Sequence, residues 1–453
     1  MTDAVHAAEA HDAHKLAEAK KATAAAAFGT FLEYYDFSVY GYCAARMSAE
    51  FFPSDNPTVS LLSTLAVFVL AFIVRPLGGF FFGRIGDRYG RKVSLLATVI
   101  LIGFACTAIG CLPVYSEIGI MAPILLILCR ILQGFSAGGE IGSAASYIRE
   151  WAPPSRQALY LSFVPSVANF GKAAAAGLAG LTAYLFAGEQ ASWAWRVPFL
   201  MALPLMLGCL YLRLKIEDTP DFKQMKSSGK LSKAPVRELL SAYPASLAKL
   251  FMFSLVQNVG TYCGTVYVAI YLRTVLNMPA AEVGFIVLIA VTCAALFIPV
   301  FGIMTDRIGA TKTLVGCYVC YIVLSYPCYA LMGGSFAMTV LALVVTMIPY
   351  ALCQAGSYSM YPELLPPKVR STGVSFGHSM GAVLGGATTP FLATWLISAF
   401  NDIMIPTYIL MFTGAIGLLN LMSLKKADPA EGRRYGQIHE RECPRHRRPA
   451  GYD

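Results

Sequence analysis

The sequence predicts an all-α membrane protein of twelve spanning helices, built as two six-helix bundles related by pseudo-two-fold symmetry. Three observations carry this. Hydrophobic residues make up 57% of the chain and charged residues 13%, against about 25% charged in soluble domains. Mean hydropathy is +0.59. A soluble core could not hide that much apolar surface, so the bilayer is the expected solvent. Windows of about 20 apolar residues recur from residue 25 to the region of residue 423. A charged loop, Gly83-Arg-Ile-Gly-Asp-Arg-Tyr-Gly-Arg91, follows the second apolar segment, and a weaker copy, Gly302-Ile-Met-Thr-Asp-Arg-Ile-Gly309, follows the second apolar segment of the later half.

The elements follow in order. Residues 1–24 form a polar N-terminal tail with Lys15, Lys20 and Lys21 and no recognisable cleavable signal. The first bundle, 25–214, holds spans near 25–45, 60–82, 93–112, 122–147, 158–186 and 197–214. Residues 215–244 are a charged central loop. The second bundle, 245–424, holds spans near 246–271, 282–304, 313–332, 336–358, 371–399 and 406–423. Residues 425–453 are a basic tail.

Lys and Arg set the expected orientation. The segments on the N-terminal side of the membrane hold 27 of the 35, of which 19 precede Lys425 and eight lie from Lys425 onward. The opposite loops hold only Arg46, Arg196 and Arg273. The positive-inside rule then puts both termini in the cytoplasm, which requires an even number of spans. The net charge of +9 reflects this asymmetry. The basic tail reads as a solvated, lipid-facing segment rather than a nucleic-acid site.

Enzyme chemistry finds no support. Gly83, Gly86 and Gly90 do not match a phosphate-binding G-x-x-x-x-G-K-[ST] loop, and no strand precedes them. No nucleophile–base pair or metal set stands out. Cys317 and Cys320 lie one turn apart inside a span and read as small packing residues. Cys443-Pro-Arg-His446 is half of a metal pattern with no second half. No cofactor is expected. A duplicated membrane protein with a charged hinge in each half fits a secondary transporter driven by an ion gradient.

Ionisable side chains within spans are costly and usually face a cavity. Those singled out are Glu33, Asp36 and Glu140 against Arg75, Arg130 and Lys172, which suggests partners within the first half. Glu33 and Asp36 share a face of the first helix, where they suit a site that takes up and releases a proton. Arg130 and Gln133 share a face of the fourth helix, with Gly134 beside them. Glu140 lies about 15 Å further along that helix, next to Gly138 and Gly139, and reads as a packing or substrate residue. Asn169 and Lys172 share a face of the fifth. The lysine either binds a substrate carboxylate or pairs with Glu33 or Asp36. Tyr40, and Gln257, Asn258, Tyr262, Gln354 and Tyr358 from the second half, complete the candidate substrate groups. Gly83, Asp87, Arg88 and Arg91, with Asp306 and Arg307, are candidate cytoplasmic gate residues. Asp87 could cap or pair with a helix end of the other half. Glu150…Arg156 and Glu363…Arg370 repeat after spans four and ten and read as charge clamps.

These features resemble the major facilitator superfamily. Several stretches are similar to its metabolite:proton symporter family, which includes carriers for 2-oxoglutarate, citrate, shikimate and proline/betaine. They are Phe31-Leu-Glu-Tyr-Tyr-Asp-Phe37, Arg75-Pro-Leu-Gly-Gly79, Arg130-Ile-Leu-Gln-Gly-Phe-Ser-Ala-Gly-Gly-Glu140, Trp193-Ala-Trp-Arg-Val-Pro-Phe199 and Tyr361-Pro-Glu363. The resemblance runs from about residue 25 to 425. It implies a role for Arg130 in proton coupling and a monomer in a bacterial inner membrane that binds protons, lipid and a small-molecule substrate. Two departures matter. Ala310 and Thr311 stand where the first loop copy has Arg91, so the clamp should be weaker there, and Lys172 is an added intramembrane cation. The expected function is proton-coupled uptake of a small polar metabolite, an organic acid by preference. The alternatives are a zwitterion such as betaine or proline and, from another class, a non-transporting sensor on the same scaffold.

Overall fold

The computed structural model describes residues 2–186 and 191–426. The twelve expected spans correspond one to one with twelve long helices. They are α1 (Thr2–Phe51), α2 (Pro57–Tyr89), α3 (Arg91–Cys111), α4 (Met121–Trp151), α5 (Gln157–Leu185), α6 (Arg196–Leu214), α7 (Pro244–Thr274), α8 (Ala280–Ile308), α9 (Ala310–Leu331), α10 (Phe336–Met360), α11 (Arg370–Phe400) and α12 (Ile405–Lys426). Among the described residues, nine helices are long and apolar enough to cross a membrane, and a bent pair ending in α7 makes a tenth. Helices α1 and α5 fall outside because they carry Glu33 and Asp36, and Asn169 and Lys172. The residues that weaken the apolar signal are the polar residues of the site.

Positive φ at Gly90 (121°) and Gly309 (91°) breaks α2 from α3 and α8 from α9 at equivalent points of the two repeats. A side chain at either position would be strained. Without a hydrophobic force between helices in lipid, small residues drive the packing. Gly134 of α4 lies against the carbonyl of Ala71, and Gly138 against that of Arg75, so α2 and α4 touch backbone to backbone. Between the halves, α2 and α4 pack on α11, and α5 packs on α8 and α10. The α2–α11 and α8–α5 contacts are equivalent under the two-fold relation.

The central segment is more than a tether. It folds into two short helices, Pro220–Ser227 and Pro235–Ala242. Thr219 caps the first by accepting from the Phe222 N–H at 3.3 Å. The second meets α7 at 93° and buries Pro235 and Leu239. The basic tail from residue 427, with Cys443 and His446, lies outside the described residues.

Candidate functional site

Charged side chains of the first half converge in the membrane interior. Glu33 Oε1 lies 3.3 Å from Arg75 Nη2. The Arg75 guanidinium sits over the rings of Phe37 at 4.2 Å and Phe72 at 4.6 Å. Gln133 donates Nε2 to Asp36 Oδ1 and accepts Arg130 Nη1 on its Oε1 at 2.7 Å. Gln133 therefore links carboxylate and arginine without direct contact between them. Arg130 also stacks on Tyr40 at 4.1 Å, and the Tyr40 hydroxyl donates to the Thr64 carbonyl at 3.0 Å. Glu33, Asp36, Arg130 and Gln133 are fully buried. Among the described residues, both oxygens of Glu33 and Nη2 of Arg130 make no hydrogen bond.

Lys172 occupies a different place from either expectation of an acidic partner. Its Nζ lies 3.4 Å from Asn169 Oδ1 and 5.1 Å from the centre of the Tyr34 ring. It forms no ion pair with Glu33 or Asp36, because Arg75 and the Gln133–Arg130 pair already hold those carboxylates. Asn169 hydrogen-bonds the Tyr350 hydroxyl at 3.2 Å and so joins α5 to α10 across the halves.

Glu140 does not reach this site. It pairs with Arg213 of α6 and accepts from Thr98 Oγ1 at 2.5 Å. Arg213 also donates to the Ala25 carbonyl at 3.2 Å and is fully buried. The pair ties α1, α3, α4 and α6 together as an internal staple. Sequence reasoning left Arg213 uncounted because a basic residue at the end of an apolar window looks interfacial.

The second half contributes uncharged polar groups. Gln257 Nε2 donates to Gln354 Oε1 at 2.6 Å, Gln354 to Thr261 Oγ1 at 3.2 Å, and the Tyr361 hydroxyl to Gln257 Oε1 at 3.1 Å. Asn258 donates to the Ser254 carbonyl at 2.9 Å. His378, absent from the sequence-derived set, is buried with Nδ1 3.2 Å from Ser254 Oγ, and its ring lies 6.0 Å from that of Tyr358. Tyr262 faces Phe72 across the halves at 6.3 Å. Helices α7 and α11 both loosen into π-helical turns beside it, Cys263–Tyr267 and Ala382–Ala387.

Both charged loops lie on one face of the molecule, the loop face, which is closed. Asp87 accepts from Ser371 N at 3.1 Å, Thr372 N at 2.9 Å and Thr372 Oγ1 at 2.7 Å, at the start of α11. Gly83 lets α2 approach Thr372. Arg91 is fully buried. It meets Asp87 at 3.3 Å, Glu150 at 3.2 Å, the Pro367 carbonyl at 2.5 Å and the Gly86 carbonyl at 2.7 Å. Phe80 stacks on Phe376 at 3.8 Å just inside.

The expected Glu150…Arg156 and Glu363…Arg370 clamps are crossed. Glu150 pairs with Arg91 and with Arg370 (3.1 Å), while Glu363 pairs with Arg149 (3.0 Å). Glu150–Arg370 and Glu363–Arg149 span the two halves, and Glu150–Arg91 joins α4 to α3 within the first, none of which local spacing could show. Arg156, Arg88 and Arg307 are exposed, and none makes an ion pair among the described residues. Asp306 accepts from Ala158 N at 2.7 Å and Leu159 N at 3.0 Å at the start of α5.

Comparisons with known proteins agree with this architecture. Residues 22–238 match the Sugar (and other) transporter family and residues 250–444 the Major Facilitator Superfamily. The proline/betaine transporter of Salmonella typhimurium is 32% identical over 90% of this chain and 83% of its own length. The glycine betaine/proline/ectoine/pipecolic acid transporter OusA of Dickeya dadantii is 34% identical over 90% of this chain and 83% of its own. Among solved structures, the proton:xylose symporter XylE superposes with a TM-score of 0.73 over 92% of this chain and 97% of its own, at 16% identity, a likeness of fold. A chain with these relatives and this two-fold helix arrangement belongs to the major facilitator superfamily and is a multi-pass membrane transporter.

Proposed function

We propose that the protein is a proton-coupled symporter for a compact zwitterion of the betaine or proline type. The observation that carries this is the lone cation Lys172 set against aromatic rings. Its ammonium has Asn169 as hydrogen-bond partner and Tyr34 as neighbour, with no acidic partner among the described residues. A substrate carboxylate supplies the missing charge. The substrate's own cation then lies against the partly exposed rings of Tyr34 and Tyr262, where aromatic faces attract quaternary and secondary ammonium groups. A dicarboxylate needs a second free cation. Arg75 is committed to Glu33, and Arg130 to Gln133, which in turn holds Asp36. The relatives' printed substrates favour the same choice over an organic acid.

In this reading Asp36 and Glu33 carry the proton and Arg130 supplies the fixed charge against which Asp36 switches. The positive-inside rule makes the loop face cytoplasmic, and the bacterial transporter relatives favour the inner membrane. The closed loop face is then the outward-facing stage of alternating access, in which Tyr34, Tyr262 and Lys172 keep partial exposure.

Uptake by proteoliposomes tests the reading. Labelled betaine or proline should accumulate only with an inward proton gradient, and a dicarboxylate should not. Lys172→Met should raise the half-saturation concentration for the zwitterion about tenfold or more, the weight of a hydrogen bond to a charged group. Accumulation of a dicarboxylate but of no zwitterion would overturn the substrate assignment. Accumulation that ignores the proton gradient would overturn the coupling.

A further inference from the structure

Outside the transport path, a groove of about 560 Å³ opens on the loop face between the end of α2 and the short helix Pro235–Ala242. Arg84 and Arg237 line it together with Val236, Leu240 and Ser241. Both arginines are exposed, and neither forms an ion pair or hydrogen bond among the described residues. Among the described residues, no acidic side chain lines the groove. Glu238, the acid nearest in sequence, is taken by Lys368.

The groove continues into lipid-facing surface. Ile73, Leu77 and Phe81 are exposed at steps of four along α2, and Arg84 ends the same stripe three residues later. Eleven residues at about 1.5 Å each give a stripe of roughly 16 Å. That matches one leaflet of a hydrocarbon core about 30 Å thick. Because Pro235–Ala242 meets α7 at 93°, it lies along the membrane surface, with Leu239 buried and Leu240 exposed. Two unpaired cations at headgroup depth above an apolar track one leaflet long form a binding site for a lipid with a negatively charged head.

We propose that this groove binds an anionic phospholipid, its phosphate between Arg84 and Arg237 and an acyl chain along Ile73, Leu77 and Phe81. The site also bridges the halves. Arg84 belongs to α2, whereas Arg237 belongs to a helix docked on α11 through Leu239, which packs beside Gly373. Opening the loop face separates α2 from α11 and takes the two arginines apart. The lipid therefore favours the loop-closed state.

The test uses the full chain, purified and exchanged into phosphatidylcholine with a trace of phosphatidylglycerol, with the retained lipid measured by native mass spectrometry. Wild type should retain phosphatidylglycerol selectively. Arg84→Gln with Arg237→Gln should lower that retention on the order of tenfold or more, since each basic residue at the surface contributes to anionic-lipid affinity. Its melting midpoint in pure phosphatidylcholine should match wild type. Arg84→Lys with Arg237→Lys should keep most of the retention, which separates loss of charge from loss of fold. Phosphatidylglycerol should raise the melting midpoint of wild type, and inorganic phosphate should not. Equal retention by wild type and the glutamine variant would overturn the site. An equal effect of inorganic phosphate would make it a small-anion site and overturn the lipid. Neither outcome touches the substrate assignment.

Discussion

The two copies of the charged loop share a task and divide on how firmly they perform it. Asp87 accepts from the second and third N–H groups of α11, and Asp306 from the second and third of α5. Each aspartate places negative charge at the positive end of a helix from the opposite half. The first copy then adds Arg91, which bridges Asp87 and Glu150 and is fully buried, while Ala310 holds the matching place in the second. Asp87 is sealed from solvent and Asp306 half-exposed. Burial strengthens an electrostatic contact and raises the cost of breaking it. The pair of loops is therefore a stiff latch at α2–α11 and a softer one at α5–α8. The side that changes first on opening should be the softer one.

Four substitutions break or sharpen this asymmetry. Spin labels at the exposed positions 88 and 307 report the loop-face distance in each. Arg91→Leu should have the largest effect. It strips a cation from Asp87 and Glu150 together, and breaking a buried pair costs about 3–5 kcal/mol. The distance distribution should move to an open population, with a lower melting midpoint. Asp87→Asn should come next, at roughly 1.5–3 kcal/mol for a lost charged hydrogen-bond set, with slower uptake and unchanged substrate affinity. Asp306→Asn should cost about 1 kcal/mol or less, because water screens the half-exposed carboxylate. If Asp306→Asn opens the loop face as far as Asp87→Asn, Arg91 does not stiffen the first latch. Ala310→Arg should act least, shifting the distance toward the closed state by under about 1 kcal/mol, since no buried acid awaits the new cation. A destabilised protein from that substitution would show that the second latch is sterically full rather than merely lacking a charge.

The site was legible to the same uneven degree. Glu33, Asp36 and Arg130 announced themselves because charge inside a span is rare; the structure joins Asp36 and Arg130 through Gln133 and sets Glu33 against Arg75. Arg75 was visible for the same reason, although its bond to Glu33 was not. Arg213 escaped, hidden at the end of its apolar window, and with it the true partner of Glu140. His378 escaped because a single histidine among small residues carries no periodic signal. Glu150 and Glu363 were noticed as half of the right constellation and given the wrong partners, since the nearest arginine in sequence is not the nearest in space.

The sequence by itself determined the number of spans, the repeat and which helices carry charge. Those features depend on the length of apolar runs and on the cost of placing charge in lipid. Only the tertiary structure decided who pairs with whom. Lys172 has no acidic partner among the described residues, while Arg75 holds Glu33 and Gln133 links Asp36 to Arg130. Glu150 serves Arg91 and Arg370 because the start of α3, the end of α4 and the start of α11 meet at the loop face. Side-chain partners across a bundle depend on how two bundles dock, and spacing along one helix carries no record of the helix that will lie against it.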